Sequence, residues 1–354
     1  MKKSTQYTQN MCKNWIAGIV LAGAAFAVSA QDVHFSQMSL SPLTLNPALA
    51  GANFGLEGNL NYRTQWASVA EPFKTTAASF NMRLNENKRS KKGHLAAGIN
   101  FFNDKAGEAI MATNNVNLNL AYHIILNDKS TLGGGMYVGY GQRSLQPSSG
   151  KWASQYNGMS YDAAINPGET FLSDRLSFVD VGAGLLYTFK KDERYMTSND
   201  QFWLNIGAAV YHIGQPSYSF INAPDERLYM RYSAFVNSII GMGNSRLSLM
   251  PAVYYQRQGT AQEILMGTYF RYMIQEESKF TGYHKSSSFA AGVFYRNKDA
   301  VIVKGLFEWS GYALGLAYDF NVSSLTEVSR SRGGVEICLR MIMSDVLSAS
   351  KSRI

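Results

Sequence analysis

The stretch Gln31–Trp66, QDVHFSQMSLSPLTLNPALAGANFGLEGNLNYRTQW, changes character half-way along. Its first half is polar, carries Pro42 and Pro47, and has no period. From Leu56 onward it alternates strictly. Leu56, Gly58, Leu60, Tyr62, Thr64 and Trp66 fall on one side, and Glu57, Asn59, Asn61, Arg63 and Gln65 on the other. Successive side chains of a strand point to opposite faces of a sheet. One face is therefore mostly apolar and the other is amide and charge. This predicts a non-barrel leading segment followed by the first strand of a transmembrane antiparallel β-barrel.

The same alternation recurs in about fourteen segments, near 56–66, 75–84, 94–103, 111–125, 131–142, 176–189, 201–212, 228–240, 246–257, 263–273, 288–296, 299–308, 311–320 and 333–343. Each is near or above the length of about 9 to 11 residues that a tilted membrane strand needs. In the segment at 111–125, Val116, Leu118, Leu120, Tyr122 and Ile124 face out, and Asn117, Asn119, Ala121 and His123 face in. A soluble sandwich also alternates, but its polar face is richer in Lys and Glu. Here that face is Asn, Ser, Gly, Gln and Tyr, which suits a confined polar lumen. Lys304 must face the lumen, which turns Ile302 inward with it. Cys338 alternates with Ile337 and Leu339, so it also faces in, as a space-filling thiol. Pro251 removes a ladder donor and is expected to mark a bulge or a strand end.

An even strand count puts both termini on one side, the periplasmic side in bacterial barrels. The long connection from Arg143 to Arg175 and the one from Gly214 to Arg227 are then extracellular. The turns at Asn127–Lys129 and Gly241–Ser245 are periplasmic. The long loop carries Trp152, Tyr156, Tyr161 and Pro167. It either folds over the mouth or offers a surface to a partner, or is a passive loop.

Residues 1–30 read as a cleaved signal peptide: basic Lys2, Lys3 and Lys13, apolar Ile16 to Phe26, then Val28-Ser29-Ala30 before a mature Gln31. The remaining organisation is a plug or cap at 31–55, a barrel at 56–343 and a polar tail at 344–354. After the signal no run of 18 apolar residues occurs, so a membrane protein of this sequence is not helical. Aromatic residues make up 13% of the chain and glycines number 31 against 8 prolines, a composition suited to a barrel wall. Loss of the three signal lysines takes the formal net charge from +8 to +5. Acids and bases are interspersed, and no basic stripe points to nucleic acid. The run Lys88-Arg89-Ser90-Lys91-Lys92 reads as a solvated turn. Of two cysteines only Cys338 remains after cleavage, which excludes a disulfide framework.

Little in the sequence points to catalysis. None of the five histidines (His34, His94, His123, His212 and His284) sits at ligand spacing from another His, a Cys or an acid. There is no G-x-S-x-G and no P-loop, and no nucleophile, base and orienter stand out. An enzyme is not expected, nor a cofactor or metal. Inward Arg63, Arg83, Arg231, Arg271 and Arg340 accompany Glu57, Asp180, Glu263 and Glu336. Both signs occur in similar number, which favours a lumen ion-pair ladder over the lining of a selective channel. Inward Phe102, Tyr137, Phe178, Tyr229, Phe235, Tyr269 and Phe294 point to a filled lumen.

Three stretches near the start carry a family resemblance: Gln31-Asp32-Val33-His34-Phe35-Ser36-Gln37, Leu45-Asn46-Pro47-Ala48-Leu49-Ala50-Gly51 and Tyr62-Arg63-Thr64-Gln65-Trp66. Near the end, Gly311-Tyr312, Tyr318-Asp319-Phe320-Asn321-Val322-Ser323-Ser324-Leu325 and Gly333-Gly334-Val335-Glu336-Ile337 agree with it. Together they resemble the PorP/SprF family of type IX secretion membrane proteins. The tail from Met341 to Ile354 departs from that pattern. The resemblance implies an integral outer-membrane protein of the Bacteroidota secretion and gliding-motility apparatus. It implies partners on the periplasmic side of the machine and a secreted surface cargo or adhesin. The residues singled out by the motifs and the leading segment are His34, Phe35, Ser36, Gln37, Asn46, Pro47, Ala48, Gly51, Tyr62, Arg63 and Trp66. The competing readings are a passive porin-like channel for small solutes and a soluble secreted β-sandwich. In the leading segment, Phe35, Met38, Leu40, Leu43, Leu45 and Leu49 are too apolar to float freely, so the segment is expected to fold into or under the barrel. A disordered leader is the alternative.

Overall fold

The computed structural model describes residues 32–68, 71–84, 92–107, 111–146, 149–166, 168, 174–191, 199–220, 226–275, 286–323 and 326–343. The expected signal peptide, Gln31, the basic residues 88–91, Pro167, His284, Ser324, Leu325 and the tail from residue 344 lie outside the described residues.

From Val33 onward the chain forms one compact unit. Its wall is a closed antiparallel barrel of fourteen strands, each paired with its sequence neighbours, with the last strand against the first. The strands are β1 Leu56–Gln65, β2 Phe73–Arg83, β3 Gly93–Ala106, β4 Met111–Asn127, β5 Ser130–Ser144, β6 Arg175–Lys191, β7 Phe202–Tyr211, β8 Arg231–Gly241, β9 Leu247–Gln258, β10 Ala261–Gln275, β11 Ser287–Arg296, β12 Ala300–Trp309, β13 Tyr312–Asn321 and β14 Arg332–Met343. Closure runs through ten register pairs, from Leu56↔Met343 to Gln65↔Gly334. A closed sheet has no edge, so every strand can satisfy its backbone within the wall.

Burial follows the sequence period. In β1, Glu57, Asn59, Asn61 and Arg63 are buried while Leu60 and Tyr62 are exposed on the outside. In β4, Val116, Leu118, Leu120, Tyr122 and Ile124 are exposed, and Asn117, Asn119, Ala121 and His123 are buried. An outer belt of this apolarity is stable against lipid and not against water. Lys304 and Ile302 both face in, buried to 3% and 0% exposure.

Two local expectations are corrected. Pro251 lies well inside β9, opposite Thr268 of β10, and marks neither a bulge nor an end. On its β8 side the pairing lapses between Asn237↔Ala252 and Ile240↔Leu249 and resumes in the same register. The missing N–H costs the ladder locally, and the intact β10 side holds the strand. Tyr229, expected inside, is 58% exposed because β8 begins only at Arg231. In the long β5–β6 connection, Tyr156 bridges to Tyr161 around a tip where Met159 is 92% exposed.

The leading segment contains short helical elements that its aperiodic sequence does not announce. They are 3-10 turns at Met38–Leu40 and Pro47–Leu49, and helix α1 at Pro42–Leu45. Both prolines occupy the opening of a helical turn, where a missing N–H costs nothing and the fixed φ is already helical. A second short helix, α2 at Thr326–Ser329, lies between β13 and β14. Met38, Leu40, Leu45, Ala48 and Leu49 form one buried cluster with inward Leu186, Phe235, Tyr254, Leu265, Tyr269, Phe294, Ile302 and Leu306. The hydrophobic core therefore sits inside the barrel, between segment and wall.

Close approach demands glycine in the wall here. A Cβ on Gly135 would lie 2.5 Å from the backbone nitrogen of Ala48, and one on Gly184 2.1 Å from Asn46 Oδ1. Backbone cannot rotate away from such a contact, so Gly135→Ala is expected to destabilise the folded barrel by about 1–3 kcal/mol. On neighbouring Gly134 an added methyl meets only Leu185 Cδ2 at 3.8 Å. Gly134→Ala should leave the temperature of heat-modifiable gel migration unchanged, and Gly135→Ala should lower it.

Candidate functional site

The inward charges gather where the leading segment begins. Glu336 on β14 accepts the backbone N–H groups of Ser36 at 2.6 Å and Gln37 at 3.0 Å. Ser36 Oγ lies 2.8 Å from both carboxylate oxygens of Asp319 on β13, to which it donates, and accepts from Arg296 Nη2 on β11 at 2.8 Å. Arg63 on β1 binds Asp319 at 3.0 Å and donates to the carbonyl of His34. Arg296 reaches Asp319 and Asp299 at 3.0 Å each and Glu263 on β10 at 3.2 Å. Lys304 on β12 donates to the Ser36 carbonyl and lies 3.5 Å from the centre of the Phe294 ring.

Arg63, Arg296, Lys304, Asp319 and Glu336 are almost fully removed from solvent, whereas Asp299 is part-exposed at the rim. Buried charge is tolerated only where partners and hydrogen bonds replace water. Here a serine and its two flanking peptide groups supply part of that replacement. The segment is thus a component of the ion network, and the network joins β1, β10, β11, β12, β13 and β14 through it.

Further along, the wall grips the segment by its carbonyls. Tyr211 donates to Leu43 O at 3.3 Å and Arg231 to Thr44 O at 3.1 Å. The Asn46 amide donates to Leu185 O at 2.9 Å and Ala208 O at 3.2 Å, while its own oxygen accepts from Ala48 N–H at 2.8 Å. His123 Nε2 is 2.8 Å from Ala50 O and His94 Nε2 is 3.1 Å from Gly51 O. A carbonyl oxygen only accepts, so both rings carry their proton on Nε2. Arg83 adds bonds to Gly51 O at 2.7 Å and Ala52 O at 3.1 Å, and Asn81 accepts the Gly51 N–H at 2.9 Å. Gly51 has φ +61°, a left-handed turn that suits glycine.

The singled-out residues divide into three groups. His34, Ser36, Gln37 and Arg63 meet in the ion network. Asn46, Ala48 and Gly51 lie along the second line of contacts, and Phe35 and Pro47 are buried apolar residues. Tyr62 and Trp66 join none of these groups. Tyr62 is 44% exposed on the outer face. Trp66 ends the strand at φ 55°, packs edge-on to Phe73 at 5.0 Å and donates its N–H to Gly333 O.

Arg296 and Asp319 are the central residues that the sequence reading did not single out. The signal was present, since Tyr318 and Phe320 face out and so turn Asp319 inward. Histidines without ligand spacing in the sequence nevertheless find partners in space. Register places His94 directly opposite His123, with ring centres 4.6 Å apart. His212 Nδ1 is 2.8 Å from Asp180, whose same carboxylate oxygen accepts from Tyr137. Among the described residues no group of three or more His, Cys, Asp or Glu is placed to hold a metal ion.

Nearer the end where β1 begins, Glu308 is bridged by Arg271 at 2.8 Å and Arg340 at 2.6 Å. They line a cavity of about 220 Å³ together with Asn53, Phe54 and Trp203. Arg63, Arg271, Arg296 and Arg340 thus pair with inward carboxylates, while Arg83 and Arg231 donate to carbonyls of the leading segment.

A family model described as type IX secretion system membrane protein PorP/SprF matches residues 27–341. A search of curated proteins found no match. Among solved structures, a TodX monoaromatic hydrocarbon channel mutant is similar at 10% identity over 84% of this chain and 92% of its own, with a TM-score of 0.43. A Pseudomonas aeruginosa FadL homologue is similar at 10% identity over 82% and 89%, with a TM-score of 0.42. BamA from Haemophilus ducreyi lacking POTRA domains 1–3 is similar at 10% identity over 82% and 71%, with a TM-score of 0.41.

Proposed function

The chain belongs to the PorP/SprF family of type IX secretion system membrane proteins and is an outer-membrane β-barrel in contact with lipid; from that premise we propose that it is a non-enzymatic accessory of the system, closed to solutes, that supports export or surface attachment of specific cargo through protein contacts. On this reading its partners are machine components on the periplasmic side and a secreted adhesin-like cargo, in the gliding apparatus of a Bacteroidota envelope. The leading segment acts as a plug.

The observation that carries the reading is the anchoring of Ser36 and Gln37 by Glu336, Asp319, Arg296 and Lys304. A segment whose release would take a hydrogen-bond partner from each of these four buried charges is unsuited to a gate that opens for each passing molecule. Deleting the gene should abolish export or surface attachment of one cargo class while uptake of small hydrophilic solutes stays at its former rate. Normal cargo on the surface of the deletion strain would overturn the proposal. Affinity purification of a tagged copy from native outer membrane, read by mass spectrometry, would name the partner.

The alternative is a passive channel. It draws on the inner face of β1, β3 and β4, where Asn59, Asn61, Asn100, Asn115, Asn117 and Asn119 form a polar lining. Planar-bilayer conductance separates the two readings.

A further inference from the structure

We propose that the chain threads its own barrel from the outside. The leading segment enters at the extracellular mouth and runs to the periplasmic mouth before β1 begins, so the chain end left by signal-peptide cleavage is displayed on the cell surface. The wall residues met by successive parts of the segment give the direction.

At the segment's start, His34 O binds Arg63, close to the finish of β1 at Gln65. Ser36 binds Arg296, the last residue of β11, and Asp319, near the finish of β13 at Asn321. Asp299, an ion partner of Arg296, lies in the turn that joins β11 to β12. All three strands finish at the end of the barrel opposite to that from which β1 starts.

At the segment's close the partners belong to the other end. Gly51 meets Arg83, the last residue of β2, and His94, the second of β3. Asn53 faces Asn205, and Phe54 packs edge-on to Trp203, the second residue of β7. Gln65 to Phe73 is the first connection, and Arg83 to Gly93 the second. With an even number of strands, and with the start of β1 and the finish of β14 at the periplasmic end, odd connections are extracellular and even ones periplasmic. Val33 therefore stands at the extracellular mouth and Phe54 at the periplasmic one.

Two consequences follow. A signal peptide still held at the inner membrane would tether the wrong end, so cleavage must come before the wall closes around the segment. The displayed chain end also lies on the same side as the long β5–β6 connection, where a surface cargo would be met.

The test uses single cysteines. Cys338 is fully buried and gives a silent background. Val33→Cys is compared with Lys298→Cys in the β11–β12 turn and Lys129→Cys in the β4–β5 turn, both exposed positions. Intact cells are treated with a membrane-impermeant maleimide, and folding of each variant is checked by heat-modifiable migration. Val33→Cys should gain the reagent's mass on intact cells, as Lys298→Cys does, while Lys129→Cys gains it only after the outer membrane is permeabilised. Labelling of Val33→Cys only after permeabilisation overturns the proposal. Labelling of Lys129→Cys with protection of Lys298→Cys overturns the orientation on which it stands. Should Val33→Cys fail to fold, an epitope placed before Asp32 and read by antibody on intact cells gives the same two outcomes. None of these results bears on cargo export, which the deletion strain tests separately.

Discussion

Asp319→Ala should destabilise the folded barrel by about 3–5 kcal/mol, the cost of breaking a buried ion pair from one side. Asp319 is buried between β1 and β11, where it faces Arg63 and Arg296 at 3.0 Å each and takes the Ser36 hydroxyl. Truncating it leaves two buried guanidinium groups without the carboxylate they share, with Glu336, Glu263 and Asp299 as the remaining counter-ions, and removes an anchor of the leading segment. Asp319→Asn keeps the side chain's shape and loses the charge, so its cost should be smaller. The temperature at which the compact gel band converts to the unfolded one reads both effects. Tyr62→Phe on the lipid face is the control, expected within about 0.5 kcal/mol of the parent. If Asp319→Ala converts at the parent's temperature, the ion network is not what holds the segment.

Deletion of residues 35–50 should turn a silent barrel into a conducting one. The parent protein is expected to give no current steps in a planar bilayer. The deletion removes Phe35, Met38, Leu40, Leu43, Leu45 and Leu49 from the interior, all of them buried. It exposes a lumen wall in which asparagine and paired ions, which water can wet, stand beside the apolar side chains that the segment covered, such as Phe235 and Ile302. Each lost apolar side chain also withdraws about 1.5–3 kcal/mol of burial, so the deleted barrel should convert to the unfolded band at a lower temperature. Restoring the segment as a separate peptide should reduce the current. A deletion variant that folds and stays silent would mean that the wall's own side chains close the lumen, and the plug reading would fall.

Within the described residues, what the sequence by itself determined is the wall. Alternation in Leu56–Gln65 and Val116–Ile124 is a local property with a period of two, so it names a strand and the face of the residues inside it without knowledge of any partner, and fails only past a strand's end, as at Tyr229. The inward turn of Lys304, Ile302 and Cys338 follows from the same count. The motifs near both ends identified the family because they are read as strings.

Only the tertiary structure decided which inward residues meet. Alternation says that Arg63, Arg296, Asp319 and Glu336 all look into the lumen, but not that they converge on Ser36, because convergence depends on barrel closure and on the register of each pair. Register likewise stacks His94 on His123, and closure brings the start of β1 against the end of β14. The route of the leading segment has no period to be read at all. It is set by where a peptide with buried leucines can find wall glycines such as Gly135 to lie against, and ions such as Glu336 to satisfy its N–H groups.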